Sequence, residues 1–380
     1  MRTIFITGAT GAVGSAVVGA LLEEADTHLR LLIRAASPQE LDARIQKLFQ
    51  FLEVAPSDRD TRSRLRGLRG DATLPSLGLD AATHADLCAE ATHIIHSAGA
   101  VRMNLPIDEA RRSAVDSARN IVALACTCRK VEKIEFVSTV GVGGRMGGTL
   151  PEHWIEAPRN FHNTYEQAKA EAEDYVRVEA ERGLPLTVHR PSMVVGDSRT
   201  GVIAHFQVFY HLCEFLSGRR TLGLCPRLGR TRLDIVPADC VARAIAWSTG
   251  QVETVGKVLH LCSGPRDSLP LLDLRRQVRE QFRAAGRRLP PTVELPSKVF
   301  LGAMNALAMV AGAKARRAIG TLPVFLDYLA TDQAFANDST TALLAAAGLA
   351  VPRPDVYLPV VIGRYLTNRT SSQTAPPEGI

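Results

Sequence analysis

A tyrosine and a lysine four positions apart, Tyr165 and Lys169, have the spacing with the clearest chemical meaning in this sequence. The flanking residues favour a helix, where side chains four apart share one face. A phenol, with a pKa of about 10, is a poor acid or base at neutral pH on its own. A neighbouring ammonium group stabilises the phenolate and is expected to lower that pKa. The pair therefore predicts a group that exchanges a proton with a carbonyl or alcohol oxygen.

Two hydroxyl residues, Ser138 and Thr139, stand where a strand predicted over residues 133–138 reaches its carboxyl edge. In open parallel sheets, ligands bind in the crevice at that edge. A hydroxyl there would bind the substrate oxygen and stabilise developing negative charge. Successive side chains of a strand point in opposite directions, so we expect only one of the two to face the site. Thr139 is the preferred candidate and Ser138 the competing one.

A glycine-rich turn lies upstream, where residues 3–14 read TIFITGATGAVG. Gly8 permits a tight turn, Gly11 lets the backbone approach a pyrophosphate, and Gly14 lets a helix pack on the strand. The free N–H groups at the start of that helix, with its positive dipole end, favour phosphate. Because the turn joins a predicted strand to a predicted helix, it indicates a dinucleotide site.

The residue after the second predicted strand selects the cofactor. NAD-binding sequences usually have Asp or Glu there, whereas this sequence has Arg34. A guanidinium group matches phosphate geometry, so Arg34, with Arg44 in the next helix, favours NADP(H) over NAD. The further arginines of residues 59–69 are interpreted as a solvated loop face. Asp71, after the third strand, is a candidate for hydrogen bonding to the adenine amino group.

The histidines do not predict a metal site. His96 is interpreted as a buried or backbone-bonded side chain. His205 and His211 are six positions apart, without an acidic or cysteine partner, which is not a convincing metal-ligand spacing.

These residues need a scaffold, and the sequence predicts an α/β fold. Short β-branched runs at 3–7, 29–33, 93–96, 133–138 and 186–190 alternate with helical patterns such as 15–24 and 113–128. That alternation predicts a doubly wound parallel sheet of the Rossmann type. Residues 234–237, which lead into an apolar helix, and a last strand at 257–261 return to the core.

Two domains are expected. Residues 1–200, completed by 234–264, would form the NADP-binding Rossmann domain. Residues 201–233 and 265–370 would form a smaller, mostly helical substrate-binding domain, and residues 371–380 a flexible tail.

The composition narrows the possible partners. A net charge of +6 and a pI near 9.0 suit anionic ligands, although an ordinary solvated surface explains them equally well. Nucleic-acid binding is not expected, because basic residues are not interleaved with aromatics, which make up only 5% of the chain.

Seven scattered cysteines and the lack of a signal-like leader predict a cytoplasmic protein. Residues 299–313 leave membrane-surface contact open as a minor alternative, and the oligomeric state is not predicted.

Several segments together resemble the extended short-chain dehydrogenase/reductase superfamily over residues 1 to about 262. They read TGATGAVG, HSAGAV, FVSTVGV, YEQAK, HRPSMVVGDSRTG and DIVPADCVARAI. The resemblance implies Thr139, Tyr165 and Lys169 as the catalytic set, with Lys169 also touching the nicotinamide ribose. The residues expected to bind the cofactor are Gly8, Thr10, Gly11, Ala12, Val13, Gly14, Arg34, Arg44, Asp71, Ala72, Ser97, Ala98, Gly99, Lys169, Pro191, Ser192 and Met193.

Within the superfamily, the segments LLIRAASPQELDARI, VSTVGV and RPSMVVGDSRTG look like the thioester-reductase and fatty-acyl-reductase branch. That branch uses NADPH to reduce acyl groups held as thioesters on coenzyme A or a carrier protein, giving aldehydes and sometimes alcohols. The alternatives are an NADP-dependent reductase, dehydrogenase or epimerase of a free ketone or alcohol, such as a sterol, flavonoid or nucleotide sugar, and a non-catalytic NADP sensor.

One stretch departs from the pattern of the relatives. They often have Asn, then Gly-Thr, at the start of the helix after the fourth strand, whereas residues 114–118 here read AVDSA. Because this Asn is missing, a proton relay that depends on its side chain, or on a helix irregularity around it, is not expected here.

Overall fold

The computed structural model describes residues 2–229, 231–310 and 333–371 of the chain. The strands in those ranges are β1 (Arg2–Thr7), β2 (Thr27–Ile33), β3 (Leu65–Arg69), β4 (His93–His96), β5 (Lys133–Val137), β6 (Gly148–Leu150), β7 (Leu186–Pro191), β8 (Met193–Val195), β9 (Leu224–Pro226), β10 (Arg232–Leu233), β11 (Ile235–Pro237), β12 (Val258–Leu261), β13 (Leu269–Pro270), β14 (Val293–Leu295) and β15 (Gln333–Phe335).

The helices in the same ranges are α1 (Ala12–Leu22), α2 (Pro38–Phe51), α3 (Arg59–Ser63), α4 (Ala81–Glu90), α5 (Ile107–Arg111), α6 (Ser117–Thr127), α7 (Thr164–Glu181), α8 (Val208–Leu216), α9 (Ala238–Thr249), α10 (Gly264–Asp267), α11 (Leu271–Ala284), α12 (Ser297–Val310), α13 (Asp338–Ala346) and α14 (Pro354–Ser371). A π-helical turn, Arg112–Asp116, joins α5 to α6. Short 3-10 turns cover Pro75–Gly78, Val140–Gly143 and Val252–Thr254.

A parallel sheet of seven strands forms the centre of the described structure, in the order β12-β7-β5-β4-β1-β2-β3. The chain winds outward from β1 in one direction to β3, then returns to β4 on the other side of β1. That reversal opens a crevice at the carboxyl ends of β1 and β4, where ligands bind in such folds. The predicted doubly wound α/β fold is confirmed.

The two faces of the sheet are covered by different helices because strand side chains alternate. Ile4 and Ile6 of β1 belong to a core with α1 and α9, whereas Phe5 between them packs with residues of α4, α6 and α7. Both faces are apolar and covered, as a parallel sheet requires.

The predicted elements differ from the observed ones at several ends. Helix α1 begins at Ala12 rather than residue 15, because Gly11 is its N-cap. The arginines of residues 59–69 are interpreted above as a solvated loop face, and Arg59, Arg66 and Arg69 are indeed exposed. The loop part of that interpretation is wrong, since the stretch contains α3 and the edge strand β3. Arg64 is buried there and donates hydrogen bonds to the carbonyl oxygens of Leu22, Glu24 and Thr27, which closes the α1–β2 turn.

Two separated stretches, 201–233 and 265–371, contribute helices α8, α11 and α14 to one hydrophobic cluster. Val195 of β8 and Ile235 of β11, two strands that pair with each other in a small separate sheet, join that cluster. The domain boundaries given above remain predictions. Among the residues described, none of the helices combines the length and apolarity needed to cross a membrane. Membrane-surface contact through 299–313 remains a prediction, and residues 311–313 lie outside the described ranges, as do residues 372–380 of the expected tail.

Candidate functional site

The glycine-rich turn brings the ends of β1 and β4 into direct contact. Gly8 has a φ of +72°, and a Cβ there would lie 2.6 Å from backbone atoms of Ser97 and Ala98. A Cβ on Gly14 would lie 2.1 Å from the carbonyl oxygen of Gly8, so the start of α1 packs on the turn itself. The N-cap of α1, Gly11, makes no side-chain cap, which leaves backbone N–H groups for an anion. This cradle, which side chains would fill, fits a dinucleotide pyrophosphate.

The turn has a neighbour that the sequence did not reveal. His205 donates from Nε2 to the carbonyl oxygen of Thr10 at 3.1 Å, across 195 residues of sequence. The segment after Gly201 therefore reaches the glycine-rich turn. His205 itself is exposed.

Thr139 and Tyr165 meet at the carboxyl edge of the sheet. Thr139 follows β5, and its Oγ1 accepts a hydrogen bond from the N–H of Gly141 at 3.2 Å. The phenol of Tyr165, in the first turn of α7, forms a hydrogen bond with the same hydroxyl. Ser138 points the other way and donates to Glu173 at 2.5 Å. Thr139, and not Ser138, thus faces the tyrosine.

The start of α7 is fixed by its own sequence. Asn163 is the N-cap, and its side-chain oxygen accepts from the N–H of Glu166 at 2.9 Å. The Glu166 carboxylate reaches back to the N–H of His162 at 2.9 Å. This reciprocal capping orients the first turn of the helix, which carries Tyr165.

Lys169 lies one turn below Tyr165 and is 7% exposed. Its Nζ donates to the carbonyl oxygen of Val137 at 2.8 Å and stands 5.5 Å from the centre of the Phe136 ring. A Cβ on Gly99 would lie 3.8 Å from Nζ, so the lysine faces the backbone after β4. Burial lowers the pKa of Lys169 to about 8.

The expectation that Lys169 lowers the pKa of Tyr165 is wrong for this arrangement. Burial raises the pKa of Tyr165 to about 12, and the hydrogen bond from Thr139 opposes that rise only in part. The physical reason is that Lys169 directs its ammonium group to the Val137 carbonyl. Tyr165 therefore holds its proton at neutral pH, the form required of a general acid.

The other end of the crevice carries exposed arginines. Arg34 follows β2 and lines a cavity of about 520 Å³ together with Glu40, Arg44, Arg69 and Asp71. Arg44 donates from Nε and Nη2 to Glu40 Oε1, at 3.0 and 2.8 Å. Arg69 is one of the arginines of residues 59–69, which the sequence predicts to form a solvated face rather than a site. The cation-rich lining fits a phosphate group on the adenosine ribose.

Two other predicted cofactor-binding residues near this cavity, Asp71 and Ala72, make hydrogen bonds within the protein. Asp71 Oδ1 accepts from the N–H and the hydroxyl of Thr73, both at 2.9 Å. The carbonyl oxygen of Ala72 accepts from the side chain of Asn120 at 2.9 Å. An adenine contact by Asp71 remains a prediction.

Pro191, Ser192 and Met193 cross from β7 to β8 at the same edge as Thr139. Pro191 and Ser192 are buried and Met193 is half-buried. The N–H of Ser192 donates to the Leu261 carbonyl at 3.0 Å, which fixes the crossing. That these three residues bind the cofactor remains a prediction.

His96 is buried, as expected, but its partners are side chains. Its Nδ1 lies 2.8 Å from the Thr7 hydroxyl and its Nε2 3.3 Å from the Ser117 hydroxyl. Burial and the charge of Lys169 lower the pKa of His96 to about 3, so it stays neutral. In the described ranges, no group of three or more His, Cys, Asp or Glu side chains is placed to hold a metal ion.

The helix irregularity is present without the Asn that relatives often have. A π-helical turn spans Arg112–Asp116, where the sequence reads RSAVD. Ser113 accepts from the N–H of Ala100 at 2.7 Å, and Ser117 donates to the Ser113 carbonyl at 2.7 Å. The two serines therefore stabilise the turn, and they also contact the loop after β4 through Ser113 and β4 itself through Ser117.

A family of NAD-binding proteins described as "Male sterility protein" matches residues 6–245. The isonitrile lipopeptide synthase of Streptomyces coeruleorubidus is 29% identical over 265 residues, which cover 69% of this chain and 18% of that protein. The L-2-aminoadipate reductase of Schizosaccharomyces pombe is 26% identical over 281 residues, which cover 70% of this chain and 19% of that protein. The chain thus spans less than a fifth of the length of these relatives.

Solved structures extend the similarity to nearly the whole chain. The terminal R domain from the myxalamid PKS-NRPS biosynthetic pathway aligns with a TM-score of 0.80 at 27% identity, covering 97% of this chain and 91% of that chain. The reductase domain of a nonribosomal peptide synthetase from Mycobacterium tuberculosis aligns with a TM-score of 0.72 at 21% identity, covering 97% and 92%. At that lower identity the likeness concerns the fold.

Proposed function

The chain belongs to the NAD-binding family described as male sterility protein, within the thioester-reductase-like branch of the extended short-chain dehydrogenases/reductases, and we propose that it reduces an acyl thioester with NADPH. Family membership makes it an oxidoreductase with a nicotinamide cofactor. The substrate would be an acyl group on coenzyme A or on a carrier protein, and the first product an aldehyde.

The observation that carries the proposal is the joint placement of Thr139, Tyr165 and Lys169 beside the glycine cradle. Two hydroxyls meet at one point, which is the arrangement that holds a carbonyl oxygen as it gains negative charge. Lys169 places a cation one turn away, next to the backbone of Gly99.

NADPH bound along the cleft would supply the hydride for the thioester carbonyl carbon. Thr139 and Tyr165 donate hydrogen bonds to the carbonyl oxygen, and Tyr165 protonates it to give a hemithioacetal. Collapse of the hemithioacetal breaks the carbon–sulfur bond, so that the aldehyde forms and the sulfur leaves as a thiol after gaining a proton. One NADPH and one proton are consumed for each aldehyde and thiol.

NADPH is favoured over NADH by the arginines around the cavity that Arg34 lines. Arg34 and Arg69 are exposed at the end of adjacent parallel strands, and Arg44 faces them from α2. A 2′-phosphate would find charge-assisted hydrogen-bond donors there.

The test is thiol release. The protein is incubated with NADPH and a series of acyl-CoA and acyl-pantetheine carrier thioesters, and free thiol is followed together with NADPH oxidation. We expect one thiol for each NADPH in the two-electron step, and a lower rate with NADH. Turnover of a ketone without thiol release from any chain length would overturn the proposal and favour a free-carbonyl reductase.

A further inference from the structure

Glu173 lies one turn beyond Lys169 on α7, and the reduction proposed above does not use it. Its side chain is 2% exposed. Burying an unpaired carboxylate is costly, so this group needs charged and hydrogen-bonding partners. The ends of two neighbouring strands supply them.

The first partners of Glu173 are Ser138 and Arg190. Ser138, after β5, donates its hydroxyl to Oε2 at 2.5 Å. Arg190 is 0% exposed and donates from Nε at 3.1 and 3.2 Å, and also from Nη2. Ser138 precedes Thr139, and Arg190 precedes Pro191. Glu173 therefore ties α7 to both strand ends that border the reaction centre.

Arg190 is itself held in place from the other side. His260 donates from Nδ1 to the Ala336 carbonyl at 2.7 Å, which leaves Nε2 to accept from Arg190 Nη1 at 3.1 Å. Burial, together with the charge of Arg190, lowers the pKa of His260 to about 3. The imidazole is therefore neutral, and the guanidinium group keeps both its acceptor and its carboxylate.

We propose that Glu173, fixed by Arg190 and Ser138, is a positioning residue that keeps Lys169 protonated and in place below Tyr165 during the reduction. The inference rests on the proposed function, because it assigns a role within that site. Glu173 touches neither substrate nor cofactor in this account and acts through Lys169.

The charged groups around Lys169 support this role. Tyr165 and Glu173 flank it on α7, and His96 faces it from β4 as a neutral ring. Burial lowers the pKa of Lys169, and the charge of Glu173 opposes that effect. Without Glu173, burial would lower the pKa of Lys169 with no carboxylate charge to oppose it.

The chain offers a matched control in Glu135, which is 1% exposed. Glu135 pairs with Lys133 at 3.0 Å and with His189 at 2.7 Å, and accepts from Ser248 at 3.1 Å. Like Glu173 it is a buried, paired carboxylate, but it lies on β5, and its partners lie on β5, β7 and α9.

The experiment compares Glu173→Gln and Glu135→Gln with the unmodified protein. Lys169 is titrated by NMR of ε-¹³C-lysine, with Lys169→Arg assigning its signal, and the pH profile of kcat/KM and the melting temperature are recorded. We expect both variants to lose thermal stability. Glu173→Gln alone should move the Lys169 midpoint and the alkaline limb about one pH unit lower, and Glu173→Asp, which keeps the charge, should restore them.

A Glu173→Gln protein with an unchanged Lys169 midpoint and alkaline limb would overturn the proposal. If that variant does not fold, the titration of Lys169 in the unmodified protein tests the proposal instead. The proposal predicts a Lys169 midpoint near pH 8, and a midpoint below neutral pH would contradict it. A protein that reduces no thioester would refute the proposed function, whereas the NMR titration would still judge the role of Glu173.

Discussion

The charged residues at the two ends of the predicted cofactor cleft differ in their exposure to solvent. Around Tyr165, the ionic partners are buried: Lys169 is 7% exposed, and the Glu173–Arg190 pair is nearly inaccessible. Around Arg34 the arginines are exposed, and Arg44 pairs with a carboxylate of its own helix.

This difference predicts what each end controls. Buried pairs are costly to disturb and fix geometry before a ligand arrives, so changes at the Tyr165 end should lower kcat. Exposed ion pairs are weak and screened by salt, so changes at the Arg34 end should alter cofactor affinity and leave the chemical step intact.

Tyr165→Phe should have the largest effect, because it removes the proton donor and leaves the fold and the cofactor cradle in place. We expect kcat for NADPH oxidation to fall by about 10²- to 10⁴-fold, with the Kd of NADPH nearly unchanged. Tyr175→Phe, on the same helix and half-buried, is the matched control and should behave like the unmodified protein. Loss of activity in both variants would mean that α7 is disturbed rather than the chemistry.

Arg34→Ala should come next, and it should act on affinity. Losing a charge-assisted contact to a 2′-phosphate should raise the KM for NADPH by about 10- to 100-fold with kcat retained. The KM for NADH, which has no such phosphate, should not change. A parallel rise for both cofactors would show that Arg34 does not distinguish them.

The kcat/KM of the reaction should decrease as the pH rises above about 8. Lys169 is protonated below its pKa of about 8, so its cation is fully present at neutral pH and is lost as the pH rises through that value. We expect kcat/KM to fall about tenfold for each pH unit above the limb. A kcat/KM that stays constant up to pH 10 would show that the reaction does not require protonated Lys169.

Glu40→Gln should have the smallest effect and the opposite sign. Gln keeps an acceptor for the N–H of Ala36, the residue before the N-cap of α2, but removes the charge that now pairs with Arg44. The KM for NADPH at low salt should fall by about twofold, and the gain should vanish at high salt. A rise in KM would mean that the Glu40 carboxylate itself favours cofactor binding.

The elements that could be predicted from the sequence are local ones. The glycine turn and the Tyr165–Lys169 pair each lie within one short segment, where strand, turn and helix patterns determine the geometry. The end of β5 offered two hydroxyl candidates, Ser138 and Thr139, and strand alternation predicted that only one of them faces the site. The observed contact of Ser138 with Glu173 favours Thr139.

The remaining features depend on contacts between distant segments. The approach of His205 to Thr10 and the pairing of Glu173 with Arg190 connect different elements, which a single sequence does not reveal. The spacing of Glu173, four residues after Lys169, was a usable signal for the shared face. The raised pKa of Tyr165 was not predictable, because it depends on burial and on where Lys169 directs its ammonium group.

The central claim is that this protein transfers hydride to a thioester carbonyl with Tyr165 as the acid. A single-turnover reaction with NADPH deuterated at the transferable C4 position and an acyl-pantetheine thioester tests it directly, with mass spectrometry of the products. We predict a deuterated aldehyde and an equal amount of thiol from the unmodified protein, and neither on the same timescale from Tyr165→Phe. Thiol released without deuterium in the carbon product, or equal yields from the variant, would contradict the account.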